Sequence, residues 1–287
     1  MQEYLAAIDA ALEQILSRNP LTPHRVLDAM HYSVFAGGKR IRPCLTLAFC
    51  QLCGGDPMAA LPFACGIELV QTYSLIHDDL PCMDDDDFRR GKPSCHKQFD
   101  EATALLAGDA LLTMAFESLS QAELPPERVV KAVEIFSRLI GVVGMIGGQE
   151  MDLEAENPDT RPDLDTLRTL CARKTCALLQ ASCQLGVLAA GGTEEQLSAA
   201  GEYAYQLGMA FQIVDDILDV TADPEKLGKP VGSDAANGKV THVTLLGLEG
   251  ASQEADRYTA RALSLLERFP GSEPLKELTR NLLHRDY

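Results

Sequence analysis

The chain has 287 residues, enough for one large domain or two smaller ones, and 46% of them are hydrophobic, ample for a core. A net charge of −17 argues against nucleic acid and anionic membrane surfaces as partners. Nine cysteines, scattered mostly through apolar segments, fit reduced cytoplasmic thiols and not a disulfide framework.

Helical periodicity recurs along the chain and clear alternating strands are absent. Residues 2–17 form an amphipathic helix, without the basic leader and continuous apolar run of a signal peptide. No run approaches the roughly 18 apolar residues of a membrane span. A second helix over about 23–36 ends at Gly37-Gly38, and a basic cluster follows: Lys39, Arg40 and Arg42. The two glycines leave room for an oxyanion near the backbone. Pro43 suits the first turn of a helix over about 43–53, which carries Cys50 and Cys53. That CxxC reads as helix packing, because no second pair completes a zinc site.

A long helix over about 57–80 leads into the stretch Ser74–His96. Six of the ten residues from Asp78 to Asp87 are aspartate, and Arg89, Arg90 and Lys92 follow at once. Like charges so close repel by roughly 1 kcal/mol per pair in water at 4 Å, so a fold that gathers them needs cations. Carboxylate oxygens suit Mg²⁺ or Ca²⁺ better than zinc, and Mg²⁺ keeps part of its shell for substrate phosphates. The arginines and the lysine supply the fork and the point charge of a phosphate site. The bland alternative is a solvated acidic loop. Asp78 and Asp84 are about 240° apart on a helix wheel, so they share a metal face only if the helix is broken, and Pro81 provides a cause.

Further helices are expected over about 99–121, from Pro125-Pro126 onward past Gly141, Gly144 and Gly147-Gly148, and from an Asp163 or Asp165 cap to Gly191-Gly192. Thr193-Glu-Glu-Gln is a capping box that starts the helix carrying Phe211 to Asp219. There Asp215 and Asp219 fall within about 40° of each other, with Gln212 a turn upstream. An apolar helix does not bring carboxylates to a core without partners, so this second aspartate motif is read as sharing metal ions with the first. Leu227 to Asp234 is a polar Gly/Pro loop carrying Lys229. Lys174, Lys229 and Lys239 are further candidate cations, and a lone histidine such as His77 or His96 is more often structural than a base. The whole reads as one all-α domain, 1–287, a bundle of about eleven to thirteen helices around a central cavity. Basic groups on both sides of the metal motif suggest two anionic ligands, and so chemistry on apolar tails carried by two diphosphates.

These residues are familiar. Gly37–Pro43, Tyr73–Pro81, Met83–Pro93, Leu106–Ala110, Gly148-Gln149, Lys174-Thr175, Phe211–Asp219 and Gly228–Asp234 resemble the short-chain trans-prenyl diphosphate synthases, most closely the bacterial farnesyl type, over nearly the whole chain. The resemblance implies an isoprenoid-synthase fold, a homodimer and three Mg²⁺ ions per site. It implies Asp78, Asp79, Asp84, Asp215 and Asp219 as metal ligands. Arg89, Lys174, Thr175, Gln212 and Lys229 would hold the allylic diphosphate, with Lys174, Thr175 and Gln212 also assisting catalysis. Lys39, Gln71, Arg42 and Arg90 would hold isopentenyl diphosphate, Gln71 standing where histidine is common. Tyr73 or Ser74 would set chain length: the ideal wheel favours Ser74, within about 40° of Asp78, whereas the resemblance favours Tyr73. The implied product is farnesyl diphosphate, with geranylgeranyl or geranyl diphosphate as alternatives. A non-catalytic partner subunit is more distant, because such a subunit should have lost acidic ligands.

Overall fold

The structure is a computed structural model that describes residues 2–17, 24–157, 161–221 and 239–283. Among those residues it is all-α, as expected, apart from one hairpin of two-residue strands, and the chain falls into two compact units: Met1–Glu134 with Leu185–Gly191, and Ile135–Gln184 with Gly192–Tyr287.

The first unit contains α1 (Gln2–Ser17), α2 (His24–Val34), α3 (Ile41–Leu52), α4 (Leu61–Asp78), the strands β1 (Phe88–Arg89) and β2 (Lys92–Pro93), the single turn α5 (Cys95–Gln98) and α6 (Glu101–Ser120). Phe49, Phe63, Ile67 and Leu69 are fully buried, each contributing about 1.5–3 kcal/mol. Helices α4 and α6 meet at Gly66, where an added Cβ would lie 2.2 Å from Leu119 Cδ1. Contrary to the sequence expectation, two stretches, Pro57–Asp78 and Glu101–Ser120, do have the length and hydropathy of a membrane span. These two segments pack on each other; Pro57–Asp78 is mostly buried, whereas Glu101–Ser120 also leaves Leu105 and Leu106 exposed.

The helix expected over 57–80 is shorter than its pattern. Asp56 caps a 3₁₀ turn at Pro57–Ala60 by accepting from the Met58 N–H at 3.0 Å, and α4 ends at Asp78, before Pro81. The expected break in the first motif is therefore present.

α7 (Pro126–Ile140) and α10 (Ala177–Ala190) each contribute residues to both units. The second unit adds α8 (Met145–Ala155), α9 (Leu164–Cys171), a π turn at Ala172–Cys176, α11 (Glu194–Thr221), α12 (His242–Leu266) and α13 (Glu273–Leu283). Its core includes the fully buried Tyr203, whose hydroxyl lies 2.8 Å from Thr279 Oγ1. The helix expected to run past Gly141 and Gly144 instead stops at Ile140 and restarts at Met145. Gly144 adopts φ −122°, ψ −124°, and a Cβ there would lie 1.9 Å from the Leu139 carbonyl oxygen. The predicted caps are present: Asp163 accepts from the Thr166 N–H at 2.9 Å, and Thr193 and Gln196 bond reciprocally.

Candidate active site

In the first unit the chain turns back on itself where α4 ends. The Asp84 N–H donates to the Asp78 carbonyl at 2.9 Å, and the Asp85 N–H to the Leu80 carbonyl at 3.2 Å. This return brings Asp84 beside Asp78, which a continuous helix would not do. Asp79 is only 2% exposed and accepts from Arg89, which also bonds Asp86 at 2.9 Å. Burial pushes the Asp79 carboxyl up, with Arg89 opposing. Arg89 is raised because Asp79 outweighs the effect of burial. Arg89 is thus held by the acidic motif itself. Cys82, within the same turn, is exposed.

Arg90 and Gly91 form the tip of the hairpin, both at positive φ (56° and 75°), as a type I′ turn requires. The Arg90 guanidinium bonds the Gly37 carbonyl and lies over Gly38, where a Cβ would be 2.6 Å from its carbon. The space above the glycine pair, expected to receive an oxyanion, is filled by this guanidinium. Arg40, at φ 47°, is buried, ion-paired to Glu68 and Asp9, and bonded to the Val34 carbonyl at 2.6 Å. It anchors the loop while Lys39 beside it is exposed and Arg42 is half-buried. Non-glycine residues at positive φ cost about 1–3 kcal/mol and gather at functional sites; Arg40, Asp85 and Arg90 all lie here.

Tyr32, Thr72, Leu75, Ile76, Asp79, Arg89, Arg90 and Pro93 are among the residues lining a small open cleft. Apolar walls and two guanidinium groups thus share one concavity. On α4, Gln71 and Ser74 are half-buried, and Ser74 turns its hydroxyl back to the Gln71 carbonyl at 3.0 Å. Tyr73 is buried, edge-on to His77, and its hydroxyl has no hydrogen-bond partner. Burial, then Asp78, pushes that hydroxyl up to about 12. His77 packs on Gly108 and bonds the Leu105 carbonyl, so it is structural.

In the second unit, Gly148 lets α8 approach the π turn: a Cβ would lie 2.2 Å from the Lys174 backbone nitrogen. Lys174 there is paired with Asp152 on α8, a partner the sequence reading missed. Thr175 donates to Gln212 Oε1 at 3.3 Å, and Gln212 Nε2 donates to Asp216 Oδ1 at 3.1 Å. Asp216 Oδ2 accepts from the His242 backbone N–H at 2.9 Å and lies 2.8 Å from His242 Nδ1. Asp216 is therefore the buried anchor of the Thr175–Gln212 chain, while Asp215 and Asp219 are half-buried on α11. Lys229 and its loop lie outside the described residues. Among the described residues, the acidic and histidine side chains whose ligand atoms converge within 4.8 Å are Asp85, Asp87 and His96, not the expected Asp78, Asp79 and Asp84.

Carboxylates massed at a broken helix end, with Arg89 paired to two of them and apolar walls alongside, define a class by fold and charge: an all-α protein with a mixed acidic and basic cleft at a helix end. Comparison gives the family within that class. A family model described as polyprenyl synthetase matches residues 23–280, and the chain belongs to that family, among the short-chain trans-prenyl diphosphate synthases. It is 46% identical over 276 residues to geranylgeranyl pyrophosphate synthase 3, chloroplastic, of Arabidopsis thaliana, covering 94% of this chain and 75% of that protein. It is 41% identical over 289 residues to a heterodimeric geranylgeranyl pyrophosphate synthase large subunit 2 of the same plant, covering 100% and 76%. The crystal structure of an FPP/GFPP synthase from Zymomonas mobilis superposes with TM-score 0.86 at 36% identity, covering 99% of this chain and 95% of that one.

Proposed function

We propose that the protein is a Mg²⁺-dependent synthase that joins isopentenyl diphosphate head to tail with an allylic diphosphate. The observation that carries this reading is the cleft in which Asp79, Arg89 and Arg90 meet the apolar Leu75, Ile76 and Pro93. An anion with a short hydrocarbon tail fits such walls. The donor set also fits the metal, since these carboxylates are the hard oxygen ligands that Mg²⁺ takes, and Asp78, Asp79, Asp84, Asp215 and Asp219 would hold it. Bound Mg²⁺ would supply neutralisation of charge on the departing diphosphate.

The residues assigned from the sequence take these parts in the proposal. Lys174 and Arg89, with Lys229, orient the allylic diphosphate, so the C–O bond breaks with its electron pair on the leaving group. Lys39, Arg42, Arg90 and Gln71 hold isopentenyl diphosphate. Its double bond supplies the electrons of the new carbon–carbon bond, and a proton then leaves to the departing diphosphate. Thr175, whose proton is given to Gln212, presents oxygen lone pairs toward the allylic cation without being a strong nucleophile. A cytoplasmic homodimer belongs to the proposal, supported by the family and by nine free thiols.

Product length is the finer question. The two Arabidopsis relatives are geranylgeranyl synthases, so a twenty-carbon product stands ahead. One observation favours fifteen carbons: Tyr73 is a buried aromatic close upstream of Asp78, where it would close the floor beneath a growing tail. Incubation with Mg²⁺, isopentenyl diphosphate and each allylic diphosphate, followed by product sizing, decides between them. If the wild type stops at fifteen carbons, Tyr73→Ala is expected to release it to twenty or more. A wild type that already makes twenty removes Tyr73 as the floor. No product from any pair leaves the non-catalytic subunit reading, which the heterodimeric relative keeps in view.

A further inference from the structure

The base of the Phe88–Pro93 hairpin holds a group of side chains that the reaction does not use. Asp87 and Ser94 flank the hairpin, and the Ser94 N–H closes it by donating to the Asp87 carbonyl at 2.9 Å. His96 follows on α5. One ring nitrogen of His96 and one carboxylate oxygen each of Asp85 and Asp87 lie within 4.8 Å of one another. His96 is only 7% exposed, and its Nε2 is buried without a hydrogen-bond partner. Its Nδ1 lies 3.1 Å from Ser94 Oγ, itself on a buried residue. A metal-ligating histidine likewise has one ring nitrogen held by a fixed oxygen and the other left for the ion.

We propose that Asp85, Asp87 and His96 form a second divalent-cation site, separate from the Mg²⁺–diphosphate ligands. Two carboxylates and an imidazole suit a borderline ion, Mn²⁺, Co²⁺ or Zn²⁺, better than Mg²⁺. A buried Nε2 left without a partner is unfavourable, and ligation would relieve it. Lys97, paired to Asp87 Oδ1 at 2.8 Å, is 43% exposed and free to swing into solvent when the ion arrives. The site sits at the root of the strands that display Arg89 and Arg90. A bound ion would therefore clasp the base of the hairpin that carries both guanidinium groups.

The test uses the full-length protein, Co²⁺ as the probe, and saturating Mg²⁺ throughout. Visible absorption and equilibrium dialysis are expected to show one Co²⁺ per chain that Mg²⁺ does not displace. His96→Gln and Asp85→Asn should each weaken it by about tenfold or more, since even outer-shell changes cost that much. Asp78→Asn and Asp215→Asn should leave it in place. Displacement by Mg²⁺, or unchanged binding in Asp85→Asn, overturns the proposal, as does loss in Asp78→Asn instead. Asp85 is exposed, so its variant decides the matter if His96→Gln does not fold. No product measurement enters, so this site fails or stands apart from the synthase reading.

Discussion

At Gly38 a methyl group would sit 2.6 Å from the Arg90 guanidinium carbon, in a backbone at φ +123° that L side chains rarely adopt. Gly38→Ala is expected to displace Arg90 while the helices stay intact by circular dichroism. Misplacement of a binding group by about 1 Å can cost on the order of 10²-fold, so kcat/KM for isopentenyl diphosphate should fall by about that much. An unchanged value would separate Arg90 from that substrate. Tyr73 invites the converse test. Its hydroxyl is buried without a partner, a loss of about 1–3 kcal/mol. Tyr73→Phe should raise stability in urea by about 1 kcal/mol and keep the product length of the wild type, because the ring still fills its space. Lower stability would reveal a partner for the hydroxyl. The residue types at this site were legible in the sequence, but their pairings were not. Nothing local couples Gly38 to Arg90 or Lys174 to Asp152, because tertiary packing alone brings them together.

Among the elements, α6 carries the cleanest pH signature. Asp100 caps it, accepting from the Thr103 N–H at 2.7 Å, and is also paired with Arg25 at 2.6 Å. The cap, then Arg25, lowers the Asp100 carboxyl to about 2, below its ordinary 3.8. A folded value below the unfolded one means stability that is present above 3.8 and lost as pH falls through about 2. The stability advantage of wild type over Asp100→Ala should therefore be constant at neutral pH and shrink across that window. An advantage that grows on acidification would assign the effect to something other than the carboxylate. Caps are local, which is why the Asp163 start and the Thr193 capping box were readable in advance. The break at Gly141–Gly144 was not, because glycines inside a periodic segment serve equally as helix contacts and as stops. The π turn at Ala172–Cys176 leaves no sequence mark; the closeness of Gly148 to Lys174 is visible only once the chain is folded.

For the whole molecule, a net charge of −17 with aspartates gathered in motifs makes cations a source of stability. Mg²⁺ with inorganic diphosphate should raise Tm more than either alone, because each completes the site of the other. At a ligand concentration about 100 times Kd the gain is about 2.7 kcal/mol. Asp78→Asn should abolish most of that gain while leaving the unliganded Tm near or above wild type, since one repelling carboxylate is removed. A full gain in the variant would count against the acidic turn as the ligand site.

The exposed Cys82 gives this acidic turn an optical handle. Burial pushes Cys44 up to about 12, Cys50 and Cys53 to about 11 and Cys171 to about 12, and it raises Cys95 and Cys183 as well. Thiolates do the nucleophilic work, so these six react slowly at neutral pH. Cys82 is the cysteine that solvent reaches freely, and it lies between Pro81 and Met83, beside Asp84. A maleimide dye should label it first without engineering. Its emission would then report the arrival of cation and diphosphate at the turn in real time, on the unmodified sequence, one substrate at a time.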